Sequence, residues 1–420
     1  MSSSTSSSST GAPLDLSKWR KLPDWLMIVG GIGAVLGLFW NVSRLGTHLG
    51  LQQFGFSWLL GFMFFLSLCL GGLGMVILHH LFDASWSVPI RRINEQLACL
   101  LFPTMALLFL PIAILAPHIY GWMDDLHAHA VVVKYPLFTW AGYYVVVIGC
   151  FTVWWILSSG FRRWSLKQDE TGDAYCTRIM RRYAACGVIL FAITLTAAAI
   201  MWMKALMPEW FSTMYGVQYF AASMWVTLFT LYTITVILKR QGPLREAATD
   251  KTFYFIGSLM FAFTVFYGYV TFFQYFIIWN ANMPEETFWF VRRETGTWWD
   301  IGMVIIFGHF FLPFLSLLRI DVKVSKLWVM IPLGLWAWLM HFVEINFQIM
   351  PANRPNGFIL SWIDLSCWAF ICGVLAKVFL KNLYSHPIIP QKDPRFAEAM
   401  EVYVQPLSES GASHKTGGGH

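Results

Sequence analysis

Charged residues are scarce in this chain of 420 residues. Asp, Glu, Lys and Arg together make up 12% of the sequence, about half of the roughly 25% found in average soluble domains. Apolar residues account for 57% and aromatic residues for 17%. So little charge cannot cover the surface of a soluble core of this size. The composition therefore excludes a soluble globular protein and indicates a polytopic membrane protein.

Motifs that bind metals, clusters or nucleotides are also missing from the sequence. The seven cysteines form no C-x-x-C pair, and most of them lie within apolar runs. This favours small buried side chains over a redox or metal site. There is no Walker loop and no strand followed by G-x-G-x-x-G, so nothing indicates nucleotide binding. The formal net charge of +6 fits basic residues that set topology and meet membrane lipid, and does not indicate nucleic-acid binding.

Ten runs of about 20 mostly apolar residues predict ten transmembrane helices. They cover residues 25–42, 56–79, 97–117, 137–158, 184–204, 217–238, 252–280, 298–318, 326–349 and 359–380. We therefore expect an all-α, ten-helix membrane domain over residues 25–384. A disordered N-terminal segment, residues 1–24, should precede it. The tail, residues 385–420, should be largely extended or disordered.

Lys and Arg are unevenly divided between the two sides of these spans. If the spans alternate in direction, 23 of the 29 basic residues fall at the termini and in the even-numbered loops, and 6 fall in the odd-numbered loops. An excess of basic residues marks the cytoplasmic side, so both termini are predicted to be cytoplasmic. The odd loops 118–136 and 281–298 are acidic and aromatic, which fits either partner docking or an interfacial aromatic belt.

Few ionisable side chains lie at membrane depth, where a charge is costly and marks a candidate functional site. His309 lies near the middle of the eighth span, His341 and Glu344 share one face of the ninth, and Asp364 lies about six residues into the tenth. The alternation of spans puts the last three in the outer half, with His309 and His341 at different depths. These four residues together predict a proton path. The alternatives are a structural hydrogen bond for His309 and a headgroup location for the two acids.

Polar side chains also follow two neighbouring spans. The seventh span carries Thr264, Tyr267, Tyr269 and Gln274, and the sixth carries Thr227, Thr230 and Thr233.

Haem b would need paired histidines at matching depths, and no such pairs emerge; the cysteine sets of iron–sulfur clusters are missing too. We therefore expect no cofactor-binding, metal-binding or catalytic residues in this chain.

Several long stretches resemble the F subunit of alternative complex III, a bacterial quinol:electron-acceptor oxidoreductase. They are residues 62–97, 207–220, 261–290, 308–323, 355–365 and 386–396. The resemblance covers nearly the whole chain outside its two termini. That subunit belongs to the NrfD/PsrC-like superfamily of membrane subunits. The resemblance therefore implies two related four-helix bundles, spans 2–5 and 6–9, flanked by spans 1 and 10.

The resemblance also implies a place in a respiratory complex of the bacterial inner (cytoplasmic) membrane. The implied partners are a paralogous C membrane subunit, an iron–sulfur B subunit, a multihaem cytochrome A subunit that carries haem c, and D and E subunits. A terminal oxidase is a further candidate partner. The chain would scaffold the complex and provide a proton path through His309, His341, Glu344 and Asp364, without a redox cofactor of its own. A subunit that binds and oxidises quinol directly is the main alternative, and a stand-alone transporter is the third.

Overall fold

Within residues 21–390 and 392–400, which the computed structural model describes, every regular element is helical. The predicted all-α class is thus confirmed. The main helices are α1 (Lys21–Leu45), α2 (Thr47–Leu81), α3 (Val88–Cys99), α4 (Leu110–Ile119), α5 (Trp140–Thr171), α6 (Ala174–Leu206), α7 (Tyr215–Gln241), α8 (Asp250–Ala281), α9 (Pro284–Val291), α10 (Trp298–Leu317), α11 (Leu327–Ile349) and α12 (Trp362–Ser385). Short helical turns lie in several of the connections.

Nine of the helices in the described ranges are long and apolar enough to cross a membrane: α1, α2, α5, α6, α7, α8, α10, α11 and α12. The expected third span, residues 97–117, is not one straight helix. α3 and α4 pass the same test only as a pair, bent by 54°. Phe102 interrupts the helical path with extended backbone angles, and Pro103 after it has no N–H to continue the hydrogen-bond ladder. The described residues therefore contain nine candidate spans, or ten if this pair is one broken span.

Helix α2 is the central element. The whole of its most apolar window is buried, against 22% of the window in α1, because α2 contacts α1, α3, α4, α6, α7, α11 and α12. Glycine permits this crowding: a Cβ at Gly71 would overlap the Thr227 side chain of α7. α1 packs on α12 in the same way, with Gly30 against the backbone of Phe370. Small residues at such contacts let helix backbones approach closely in an apolar environment.

A buried charge network closes one end of the helices, which we call the Arg91 end. Arg91 and Arg92 of α3 are almost fully buried, and both pair with Glu95, at 3.1 Å and 3.7 Å. Arg91 also pairs with Asp393, and Arg92 with Asp169. Buried arginines need such partners, since an unpaired charge in the interior is strongly destabilising.

The chain termini differ in part from the sequence-based expectation. Helix α1 begins at Lys21, inside the segment 1–24 that we expected to be disordered; residues 1–20 lie outside the described residues. Asp393, in the tail that we expected to be extended or disordered, is 4% exposed and held by Arg91. The residues after it form a short helix, Phe396–Ala399. Residues 401–420 lie outside the described residues.

Candidate functional site

Three of the four expected proton-path residues meet in the interior. His309 lies on α10, and His341 and Glu344 lie on α11. One oxygen of Glu344, Oε2, lies 3.2 Å from His341 Nδ1 and 3.2 Å from His309 Nε2. The two histidines are fully buried, and Glu344 is 2% exposed. We call these three residues the Glu344 cluster.

The pairing within α11 follows the expected helix geometry, because side chains three residues apart share one face. The expectation that His309 and His341 lie at different depths is wrong. His309 lies in a π-helical segment, Ile305–Phe311. A π-turn holds an extra residue and shifts the side chains relative to a regular α-helix, so depth counted at a uniform rise per residue does not apply. Both histidines therefore reach the same carboxylate oxygen.

Ser67 of α2 lies next to His341. The Ser67 hydroxyl lies 2.6 Å from the carbonyl oxygen of Phe64 and 2.7 Å from His341 Nε2, and its one proton can go to either. If the proton goes to Phe64, Ser67 accepts from Nε2–H, and Nδ1 of a neutral ring would face the Glu344 oxygen with only a lone pair. If the proton goes to Nε2, Nδ1–H donates to Glu344. In both arrangements the 3.2 Å contact between Nδ1 and the carboxylate needs a proton between them, because two bare acceptors repel.

The imidazole of His309 is held between two aromatic rings. The Trp225 ring stacks on it with centroids 3.8 Å apart, and the Tyr267 ring lies on the other side at 4.1 Å. Its Nε2 is near Glu344, but neither ring nitrogen makes a hydrogen bond to any described residue. The structural hydrogen bond that was one alternative for His309 is thus not found in this part of the chain. Buried polar atoms without partners are rare and costly, so His309 retains capacity to bind a proton or a water molecule.

The Tyr267 hydroxyl lies beside the cluster on α8. Its polar neighbours are Glu344, Gln218 and Thr271. This confirms one part of the polar stripe that the sequence predicted. Tyr269, however, is 53% exposed on the outer face of the helices. Residues two apart on a helix point to different faces, so Tyr269 does not belong to the stripe.

Arg293 defines the opposite end of the helices, which we call the Arg293 end. Its guanidinium carbon lies 3.4 Å from the Trp289 ring centroid, and its nitrogens donate to the carbonyls of Phe347 at 2.9 Å and Gln348 at 2.8 Å. Arg293 is 2% exposed, and burial lowers its pKa to about 9. By binding the last carbonyls of α11 it fixes the helix that carries Glu344.

Buried polar atoms continue from the cluster toward the Arg293 end. Thr271 Oγ1 and Gln274 Oε1 make no hydrogen bond to the described residues. Both residues follow Tyr267 along one face of α8. Groups of this kind are usually satisfied by buried water. The line therefore has the chemistry to hold water between the cluster and this end of the protein.

Asp364 has a different role, because it is not part of the cluster. It begins α12 as part of a capping box with Ser361. Its carboxylate accepts from Arg354 at 2.8 Å and 3.2 Å, and from the Ser57 hydroxyl at 2.6 Å. Asp364 is fully buried among these donors. Charge-assisted bonds of this kind hold a carboxylate in one position, which is a structural role.

The Glu344 cluster also resembles the ligand set of a metal ion. The three side chains each offer one ligand atom, and these atoms all lie within 4.8 Å of one another. Two imidazoles and a carboxylate suit zinc or iron. A divalent cation with a single carboxylate would leave net positive charge in an apolar interior, which is costly. A proton bound between His341 and Glu344 leaves the cluster neutral, so the proton is the better match.

Neither the known protein-family models nor the curated proteins contain a match to this chain. These comparisons thus identify no family. The fold and the site define the class instead: an all-helical chain with nine helices, among the residues that the structure describes, that are able to span a membrane, as is typical of a multi-pass membrane protein. Its interior carries a buried His–Glu–His cluster.

Proposed function

We propose that this chain is an integral membrane subunit of a respiratory quinol:electron-acceptor oxidoreductase of the alternative complex III type, and that the Glu344 cluster is its proton-exchanging site. In this proposal ten spans cross the bacterial inner membrane, with α3 and α4 forming one broken span. Spans 2–5 and 6–9 form two bundles, and both termini are cytoplasmic. The subunit scaffolds the complex, while haem c and iron–sulfur clusters belong to its partners.

The observation that supports a proton role is the requirement for a proton inside the cluster. Nδ1 of His341 faces a carboxylate oxygen of Glu344 at 3.2 Å, and His309 Nε2 lies 3.2 Å from the same oxygen. Ionisable groups buried at membrane depth are expensive and are retained where they move ions or protons. The respiratory assignment is supported by the long stretches that resemble the F subunit of alternative complex III, such as residues 261–290.

The proposed route begins at the Arg293 end. Water held by Gln274 and Thr271 would deliver a proton to the Tyr267 hydroxyl and the Glu344 carboxylate. From Glu344 the proton can move to His309 Nε2 or His341 Nδ1, each 3.2 Å away. Imidazole is well suited to this role, because its ordinary pKa lies near physiological pH.

Substitution of Glu344 by Gln tests the proton role. The amide keeps the size of the side chain but cannot exchange a proton, so we expect the complex in proteoliposomes to transfer electrons at the normal rate while proton translocation is lost. Asp364→Asn is the matched control, since it changes another buried carboxylate that lies outside the cluster. Equal proton-to-electron ratios in Glu344→Gln and the unmodified protein would refute the proposed role.

Purification in a mild detergent, followed by mass spectrometry and a haem spectrum, tests the respiratory assignment. We expect the C, B, A, D and E subunits to co-purify, and haem c to be assigned to the cytochrome subunit. Haem bound to this chain alone, or a chain that purifies as a stable single component, would contradict the assignment.

A further inference from the structure

A cavity of about 410 Å³ lies between the helices near the Arg91 end. Its walls come from α1, α2, α3, α7, α11 and α12. Its volume falls within the range of about 300–1,000 Å³ that is common for small-molecule sites. Since a methylene group takes about as much space as a water molecule, roughly 30 Å³, the cavity has room for about a dozen methylene groups.

The chemistry of the wall restricts the occupant to hydrocarbon. The lining side chains are apolar apart from Thr230 and Thr233. The Thr230 hydroxyl donates to the Val226 carbonyl and accepts from Trp338 Nε1, and the Thr233 hydroxyl donates to the Phe229 carbonyl. Both threonine protons are thus used within the protein. A quinone ring needs hydrogen-bond donors for its oxygens, and the lining side chains leave only the weak S–H donors of Cys69 and Cys372 for them.

The mouth of the cavity opens onto the outer face of the helices. Leu22 and Leu335 line it and are 49% and 70% exposed. Both belong to helices that are long and apolar enough to span a membrane, so the mouth faces the hydrocarbon of the bilayer in the proposed arrangement. A chain that is already dissolved in the membrane can enter there without crossing water.

Two basic residues lie at this end of the helices that line the cavity. Lys21 directly precedes the lining residue Leu22 of α1, and Arg240 follows the lining residue Leu238 of α7 by two positions. Both are exposed. The nearby acid on α1, Asp24, is already paired with Lys377 at 2.7 Å. Exposed cations near a membrane surface attract anionic lipid headgroups.

We propose that this cavity binds one acyl chain of an anionic phospholipid, with the headgroup near Lys21 and Arg240. The apolar wall favours a hydrocarbon chain, and the exposed cations favour a negatively charged headgroup. The bound chain would occupy the space between α1, α7, α11 and α12, and so it would stabilise the packing of α1 on the rest of the protein.

Photolabelling of the full chain in its native assembly tests this proposal. The probe is phosphatidylglycerol with a diazirine in one acyl chain, and the labelled peptides are identified by mass spectrometry. We expect labels on residues 334–338 and 372–383, which line the cavity. Ala376→Trp should fill the cavity and abolish these labels, whereas Ala192→Trp, at an exposed position of α6, should leave them unchanged. If Ala376→Trp does not assemble, Ile234→Trp fills the cavity from α7.

The headgroup is tested by competition. Unlabelled phosphatidylglycerol should displace the probe better than phosphatidylcholine does, and Lys21→Gln with Arg240→Gln should reduce this preference by about fivefold per charge removed. Arg44→Gln, at the other end of α1, is the matched control. Labels confined to peptides outside the cavity, equal labelling in Ala376→Trp and Ala192→Trp, or displacement by a long-chain quinone but not by phosphatidylglycerol would each overturn the proposal.

Discussion

Two parts of the interior share one backbone feature and carry different side chains. α6 contains a π-helical segment, Ala199–Met203, that presents Trp202, and α10 contains the π-helical segment Ile305–Phe311 that presents His309. Trp202 is surrounded by aromatic side chains whose ring centroids lie 4.6–6.1 Å from its own: Phe62, Phe109, Phe151 and Trp154. We call this group the Trp202 cluster. His309 also lies against aromatic rings, but it faces the carboxylate of Glu344.

The two π-helical segments have the same backbone feature but different chemistry around it. In both places the wider turn brings one large side chain into the interior. Beside Trp202 the result is dense aromatic packing, and beside His309 it is a site that can bind a proton. Helix α2 takes part in both, since Phe62 contacts the Trp202 cluster and Ser67 contacts His341. Whether aromatic packing or a proton-binding site is formed depends on the side chain that the π-segment presents and on whether an acid lies opposite it.

Among the substitutions considered, one in the Trp202 cluster should lower the free energy of unfolding most. Trp202→Ala removes a fully buried ring and leaves a cavity, so we expect a loss of about 3–5 kcal/mol in the free energy of unfolding. Thermal unfolding in detergent measures this loss. The fraction that remains folded should keep its normal proton-to-electron ratio. A variant of normal stability with a reduced ratio would show that the two clusters are not separate in function.

Substitution of Asp364, like that of Trp202, should lower stability and leave proton translocation unchanged, whereas substitution of Glu344 should abolish translocation. Asp364→Asn weakens the pairing with Arg354 and the cap of α12, at an expected cost of about 2–3 kcal/mol in unfolding free energy. Ser361→Ala removes only the side-chain cap and should cost about 1 kcal/mol. Proton translocation should be unchanged in both. Loss of translocation in a stable Asp364→Asn variant would restore this residue to the proton path.

Ser67→Ala tests the contact between α2 and His341. The change removes the hydrogen-bond partner of His341 Nε2, so we expect a loss of about 1 kcal/mol in stability together with a shift in the pH dependence of proton transfer. Ser57→Ala is the matched control, because it removes a hydroxyl of α2 that binds Asp364 and not the cluster. The same pH profile in both variants would argue against an effect of this contact on proton transfer.

The smallest effect is expected at Tyr267. Tyr267→Phe keeps the ring that packs on His309 and removes the hydroxyl next to Glu344. Proton transfer should slow by about tenfold, less than the roughly 10²–10⁴-fold effect of a direct general acid or base, while stability changes little. Tyr269→Phe, at the exposed position two residues later, should have no effect. Equal rates in the two variants would remove Tyr267 from the route.

The sequence predicts the parts of this structure that depend on local pattern. Runs of about 20 apolar residues reflect bilayer thickness directly, and His341 and Glu344 pair because they are three residues apart. The capping role of Asp364 has a local signal too, the S-x-x-D pattern at 361–364. The approach of His309 to Glu344 depends on a π-segment and on packing between α10 and α11, which no local pattern encodes. For Arg293 the one local signal was Trp289, four residues earlier on the same helix face.

The central claim is that Glu344 holds an exchangeable proton in the interior. Infrared difference spectroscopy of the purified protein, recorded against pH in H₂O and D₂O, measures this most directly. We predict a carboxylic-acid C=O band that changes with pH, shifts in D₂O, is absent in Glu344→Gln and persists in Asp364→Asn. A spectrum in which Glu344→Gln removes no such band would contradict the account.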